Sequence, residues 1–244
     1  MVVGDSISVG YTDNPKWTVP YEFGFRSGLY TRLTNSGMAV QFVGNSKEPW
    51  NGGSAGKYGT PTNTPKLDLR ALGQDHCEGY GGKKTDFIRE NIAAWLAQDS
   101  PDIILLMAGI NDIRRGGTNE PIAAQQNLSN IVATVVRLAP KTHLIVAQIT
   151  PYSSSHYSSA IPKYNAYIRD ILVPGFVAQG KRVTTVNQYS SLLLAGKTNV
   201  DDSLYANGIN HPNATGYDRM AETWFKGIQA LPLPASPSRE KISK

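Results

Sequence analysis

Residues 102–107, Asp102-Ile103-Ile104-Leu105-Leu106-Met107, set five uninterrupted apolar side chains behind one aspartate. No alternation of polar and apolar positions runs through them, so an extended strand here must be covered on both faces. A strand of that kind belongs in the middle of a parallel sheet with a helix layer on each side. Gly109-Ile110-Asn111-Asp112 follows it directly, which puts a polar turn at its carboxyl end.

The rest of the chain alternates in the same sense, apolar run then amphipathic stretch. Residues 1–3 read as a first strand. Residues 22–37 read as a helix, with Phe25, Leu29 and Leu33 at four-residue spacing and Gly37 as the stop. A short second strand is expected over 40–44. Residues 46–74 are rich in Gly, Asn, Thr and Pro and read as a long surface loop, a length that often carries function. Helices are expected over 86–98, 123–139 and 164–178, and strands over 144–149 and 182–186. Asn213 caps a final helix over 214–230. The expected fold is α/β: about five parallel strands in a three-layer α/β/α sandwich, one domain over 1–230. Residues 231–244, rich in proline and then charge, read as a disordered tail.

Several classes of function drop out on composition. The chain has 244 residues, ample for one α/β domain with a full core. No apolar run approaches the roughly 18 residues of a membrane span. The single cysteine, Cys77, leaves no intramolecular disulfide and no cysteine metal cluster; it reads as a small, half-buried thiol. The net charge of +5 includes +2 from Arg239, Lys241 and Lys244 against Glu240, and the other basic residues are scattered. No basic face interleaved with aromatics marks a nucleic-acid site. The first strand is expected to begin almost at Met1, so a leader of any secreted product is expected to have been removed already.

Ligands of doubly wound sheets bind outside the carboxyl ends of the strands, and four polar signals fall there. Ser6, in Gly4-Asp5-Ser6, follows the first strand. Gly79-Tyr80-Gly81-Gly82 precedes the 86–98 helix, Asn111 follows the central strand, and Asn210-His211-Pro212-Asn213 leads into the last helix. Together they hold the parts ester hydrolysis requires. Ser6 supplies an attacking oxygen, and His211 takes its proton and returns it to the leaving alcohol. The tetrahedral oxyanion needs donors fixed in advance: the Ser6 N–H, a glycine N–H and the Asn111 amide.

This set resembles the SGNH (GDSL-type) hydrolases, with Ser6 in GDS, Asn111 in G-x-N-D and His211 in H-P-N-x-x-G-Y. The wider chain is similar to the acetylxylan esterases of carbohydrate esterase family 3. That likeness runs through residues 28–35, 41–44, 78–82 and 101–112 to Gly216-Tyr217, Met220-Ala221 and Trp224. It implies a flavodoxin-like sheet, a serine esterase with no metal or organic cofactor, and an oxyanion hole of Ser6, Gly82 and Asn111. It also implies an acetylated carbohydrate, with xylan as the polymer, or a small ester as substrate, and no nucleic-acid or membrane partner. Acting on a polymer, such an enzyme is expected outside the cell.

One position departs from the pattern. The family places an aspartate three residues before the histidine, and here that residue is Gly208. Asp202 or Asp201 can orient the imidazole if the loop folds back; otherwise a backbone carbonyl or the Asn207 side chain does so, leaving a Ser–His dyad. Asp112 is expected to anchor the oxyanion loop. His76 reads as a loop or substrate contact, and His143 and His156 as solvated. Trp50, Tyr58, Tyr80 and Tyr152 lie near the expected rim, where they can stack on sugars or pack the loops. Two rival functions stand beside the carbohydrate esterase. One is a general short-chain esterase or lipase-like hydrolase on other esters; the polar 46–74 loop argues against a lipid-binding lid. The other is a carbohydrate-binding protein without turnover, supported only by the missing aspartate.

Overall fold

The computed structural model describes residues 1–13, 16–53, 59–113 and 120–232. Tyr58 and the tail from 233 onward lie outside the described residues. The central strand is β3, Ile103–Met107, and its side chains are almost wholly buried. It pairs in parallel with β1, Val2–Gly4, on one side and β4, His143–Gln148, on the other. A two-residue strand, β2 (Glu78–Gly79), adds to the far side of β1, and β5 (Val183–Asn187) closes the β4 edge. The order is β2-β1-β3-β4-β5, all parallel, the flavodoxin-like winding. Edge strand β5 carries Thr184, Thr185 and Asn187, as an edge with one face towards water allows.

The fifth strand is not the one the sequence suggests. Residues 40–44 lie beside residues 73–79, but side chains take the bonds that a strand ladder would need. Gln74 Oε1 accepts from the Phe42 N–H at 2.9 Å, and Glu78 Oε1 accepts from the Asn45 N–H at 2.9 Å. With those donors met by side chains, no regular pairing forms, and Glu78–Gly79 joins β1 instead.

Helices α2 (Phe25–Asn35) and α8 (Ala214–Gln229) pack together as one layer, and α3 (Thr85–Asp99) and α5 (Glu120–Leu138) as the other. The first layer is built on Phe25, Leu29 and Leu33 against Met220, Trp224 and Ile228, all buried, with the Phe25 and Trp224 rings 5.9 Å apart. Arg32 clamps Asp218 through two bonds of 2.7 and 2.9 Å across its solvent edge. The second layer sets Ile88, Ile92 and Leu96 with Leu128, Ile131 and Val135 in the core. The helix expected over 164–178 begins earlier. It runs as α6, Ala160–Tyr167, widens to a π turn at Ile168–Leu172, and resumes as α7, Val173–Val177. Pro174 has no N–H to return to the preceding turn, so the ladder loosens there. His143, expected in solvent, begins β4 and is buried. Among the described residues no helix is long and apolar enough to cross a membrane.

Trp224 is fully buried, and its indole N–H has no hydrogen-bond partner among the described residues. Trp224→Ala is therefore expected to destabilise the fold by about 3–5 kcal/mol. Trp224→Phe, which keeps most of the packing and removes the orphaned donor, should cost clearly less. Urea unfolding of the two variants checks the order; equal losses would mean that the core tolerates the cavity.

Candidate active site

Register decides which polar residues meet. Val3 lies level with Glu78 and Leu106, and Gly4 with Gly79 and Met107, across three adjacent strands. Ser6 comes two residues after that row, Gly82 three and Asn111 four. Parallel strands therefore carry these residues to one edge of the sheet, although 105 positions separate the first from the last.

The turn after β1 is a single helical turn, α1, Ser6–Val9. Asp5 caps it, its Oδ1 accepting from the Ile7 N–H at 3.0 Å. Ser6 is the first residue of that turn, so its N–H has no intrahelical acceptor. The last carbonyl of the turn, Val9, accepts from the Tyr21 hydroxyl at 2.8 Å and from the buried Arg26 guanidinium at 3.0 Å. A cation at the carboxyl end suits the dipole of the turn.

His211 sits in the loop before α8. The Asn207 side-chain oxygen accepts from the backbone N–H of Ile209, Asn210 and His211, at 3.0, 3.0 and 2.9 Å. The Ala206 N–H closes the loop onto the His211 carbonyl at 2.8 Å. The next residues of the motif serve the same end. Asn213 caps α8 through the Thr215 and Gly216 N–H groups, and the buried Tyr217 hydroxyl donates to the Tyr11 carbonyl. His211 Nε2 lies 2.9 Å from Ser6 Oγ, and Nδ1 lies 2.7 Å from the Thr12 carbonyl oxygen. A carbonyl only accepts, so Nδ1 carries the proton and Nε2 is left as the acceptor for the serine hydroxyl.

The backbone carbonyl thus stands where a carboxylate was considered. Asp202 and Asp201 are turned elsewhere. Asp202 accepts from the Ser154 N–H at 2.7 Å and from the Ser154 hydroxyl, and is exposed. Asp201 accepts from the Ser203 hydroxyl at 2.5 Å and pairs with Arg219 at 3.5 Å. Asn207 acts on the backbone of the loop rather than on the ring.

Among the neighbouring glycines, Gly82 is the one whose N–H has no acceptor among the described residues. The Gly81 N–H donates to Glu48 Oε2 at 2.8 Å, the Tyr80 N–H to the Gly4 carbonyl at 3.1 Å, and the Lys83 N–H to the Tyr80 carbonyl at 3.3 Å. Gly82 has φ +74, a conformation that a side chain disfavours, and an added Cβ would meet nothing within 4 Å. The glycine is there for its backbone angle, not for room. Asn111 donates one amide hydrogen to the Lys83 carbonyl at 3.0 Å, which holds the group and leaves the second hydrogen to serve a ligand. Asp112 accepts from the Thr85 N–H and hydroxyl, the latter at 2.6 Å, tying this turn, α4 (Ile110–Ile113), to the start of α3.

Three of the aromatics weighed as rim residues pack the scaffold instead. The Tyr80 ring stacks on Trp95 at 5.6 Å, the Tyr152 hydroxyl donates to the Ile110 carbonyl, and Trp50 lies against Tyr21 and Phe23 with Arg70 over its face. Cys77 is fully buried. His76, exposed, has Nδ1 3.0 Å from the Gly44 carbonyl, and His156, also exposed, meets Ser153 and Ser155. Among the described residues no His, Cys, Asp and Glu side chains cluster as a metal site. A cavity of about 500 Å³ opens at the other end of the strands, around Met1, Val40, Phe42 and Pro101. Sequence reasoning missed Thr12, Tyr11 and Glu48. Thr12 contributes through its carbonyl, which every residue has, so its identity carries no signal.

A parallel five-stranded sheet of this order with a helix layer on each face is the three-layer fold of the SGNH hydrolases. The chain belongs to the GDSL-like lipase/acylhydrolase family, whose profile matches residues 2–219. It resembles a Clostridium thermocellum family 3 carbohydrate esterase, with 25% identity, TM-score 0.65 and coverage of 93% of this chain and 92% of that one. A family 3 carbohydrate esterase from Talaromyces cellulolyticus shares the fold, at 22% identity and TM-score 0.68 over 94% of this chain and 95% of that one. A curated Acetivibrio thermocellus protein, provisionally named endoglucanase X, is 29% identical over 144 residues. Those residues are 57% of this chain, and the match spans about half the length of that relative, 55%.

Burial pushes the Asp5 carboxyl up from the ordinary 3.8 to about 7; the bond from the Ile7 N–H opposes the shift, and the nearby Asp112 adds to it. The folded protein holds this proton up to about pH 7, whereas the unfolded chain releases it near 3.8. The folded state binds more protons in that window, so this group makes stability fall as pH rises through it and level off above. Asp5→Asn should flatten that part of the profile. Urea unfolding of wild type and variant between pH 4.5 and about 8 checks this, and parallel profiles would refute it.

Proposed function

We propose that this protein is a serine esterase that removes short acyl groups, chiefly acetyl, from a carbohydrate, with acetylated xylan as the polymer. The observation that carries the proposal is the His211 imidazole, held at Nδ1 by the Thr12 carbonyl and 2.9 Å from Ser6 Oγ at Nε2. A serine touching a ring nitrogen whose partner nitrogen is already protonated is set up to lose its proton on attack.

In this reading Ser6 Oγ adds to the ester carbonyl carbon as its proton passes to Nε2. The oxygen that becomes negative is met by the Ser6 N–H, the Gly82 N–H and the second Asn111 amide hydrogen. Collapse of the tetrahedral species breaks the bond to the sugar oxygen, which leaves as a hydroxyl with the proton from Nε2. Water then attacks the acyl-serine by the same route in reverse and releases acetate. The imidazolium formed on the way is supported at Nδ1 by a carbonyl dipole, a weaker partner than a full carboxylate charge. The site is a Ser–His dyad in this reading, with Thr12 orienting the ring through its backbone.

Support for a sugar ester comes from the likeness to the family 3 carbohydrate esterase over nearly the whole of both chains. The polar 46–74 stretch, poor in apolar side chains, suits a hydrated polymer better than a lipid. An enzyme working on such a polymer acts outside the cell, and an extracellular location is part of the proposal.

Acetate release from acetylated xylan, with p-nitrophenyl acetate and a longer acyl ester alongside, tests the reading. Ser6→Ala is expected to abolish release, and Asn111→Ala to lower kcat by about 10²–10³-fold, the usual loss for one oxyanion donor. Cleavage of the aryl ester without the xylan would keep Ser6 and move the substrate elsewhere. Undiminished hydrolysis by Ser6→Ala would end the proposal.

A further inference from the structure

Two parts of the site come from segments far apart in the chain. Tyr11 and Thr12 bring the carbonyl beneath His211, and residues 80–83 bring the Gly82 N–H. One buried carboxylate joins them. Glu48 is 4% exposed, and its Oε2 accepts from the Tyr11 hydroxyl at 2.7 Å and from the Gly81 N–H at 2.8 Å. Both bonds end on one oxygen, whose two lone pairs set the angle between the donors. Both lengths are those of well-formed hydrogen bonds.

The contacts continue on both sides. Gly81 is the residue before Gly82, so fixing its N–H fixes the peptide plane that leads into the free donor. There is no room between the partners: a Cβ on Gly81 would fall 2.6 Å from the Tyr11 ring and 3.0 Å from Glu48 Oε2. In the other direction the Tyr11 ring stands edge-on to the His211 ring, with centroids 6.2 Å apart. The Tyr11 carbonyl is held by the Tyr217 hydroxyl, and the next carbonyl, that of Thr12, takes Nδ1.

We infer that Glu48 is a positioning residue for acyl transfer: through Gly81 and Tyr11 it sets the Gly82 N–H in register with the Ser6–His211 pair. It touches neither the ester nor the reacting atoms. The inference rests on the esterase reading given above. Removing the carboxylate leaves two buried donors without their acceptor, and the turn bearing Gly82 loses its tie to the histidine side. The cost falls on the transition state, where the oxyanion forms, rather than on ground-state binding.

The test is kcat and KM on p-nitrophenyl acetate, expressed per serine titrated with a fluorophosphonate, so that unfolded protein does not count. Glu48→Ala is expected to lower kcat by about ten- to a hundredfold, less than deletion of a donor because Gly82 is displaced and not removed. KM should stay within about threefold. Glu48→Gln, whose amide oxygen accepts the same two bonds, should recover most of the loss. Tyr11→Phe should lose less than Glu48→Ala, and the double variant should be no worse than Glu48→Ala alone, since both act through one network. Glu48→Ala with kcat within about twofold of wild type, beside an inactive Ser6→Ala, would overturn this inference and leave the esterase reading standing. If Glu48→Ala fails to fold, Tyr11→Phe decides, and an unchanged kcat there overturns the inference. Hydrolysis that survives Ser6→Ala would overturn both.

Discussion

Two strand pairings of β1 hold the rest of the molecule in place. Val2–Gly4 is only three residues long, yet it is bonded on both edges, to Glu78–Gly79 and to Ile103–Met107. The row Gly4, Gly79 and Met107 is the level from which three loops depart towards one side of the sheet. Ser6, Gly82 and Asn111 all fall within four residues of that row. A slip of one residue in either pairing would turn each buried side chain to the wrong face. The layers on both faces, with Trp224 and Phe25 on one and Ile88 and Leu128 on the other, make such a slip costly. Precision at the site is therefore inherited from the burial of the sheet.

Above that row, carboxylates organise backbone. Asp5 accepts from the Ile7 N–H and starts the turn that carries Ser6. Asp112 accepts from the Thr85 N–H and fixes the turn after Asn111 to α3, and Glu48 accepts from the Gly81 N–H. All three are buried, and burial alone would make them expensive as anions. Each recovers part of that cost by meeting a donor that would otherwise lie orphaned in a tight turn. Burial nonetheless pushes the carboxyls of Asp5 and Asp112 upward. The histidine is supported in the same manner but by neutral groups: an Asn207 oxygen under three N–H groups and the Thr12 carbonyl at Nδ1.

Much of this was legible in the residues. The run Ile103–Met107 reads as a doubly covered strand because no polar side chain interrupts it, and the structure buries it so. Helices α2, α3 and α8 follow from apolar spacing, and the cap at Asn213 from its residue type. The motifs around Ser6, Asn111 and His211 name side chains whose chemistry is specific, and the fold brings Ser6 and His211 into contact. Residues 40–44 misled because an apolar run reports burial, not hydrogen bonding. Phe42 is buried, but the Gln74 side chain takes its N–H. Asp201 and Asp202 lie in the stretch that leads to His211, yet closeness along a loop does not fix where a carboxylate points.

The sequence by itself determined the alternation of covered strands and amphipathic helices and the identity of the reactive groups, because both depend on side-chain type and spacing. Tertiary structure decided which strand fills the β1 edge, which glycine N–H is left without an acceptor among the described residues, and what holds the imidazole. Those outcomes rest on backbone donors and acceptors. Every residue carries them, so only the packed arrangement of distant segments selects Thr12, Gly82 and the Glu48 bridge from among many equivalent carbonyls and amides.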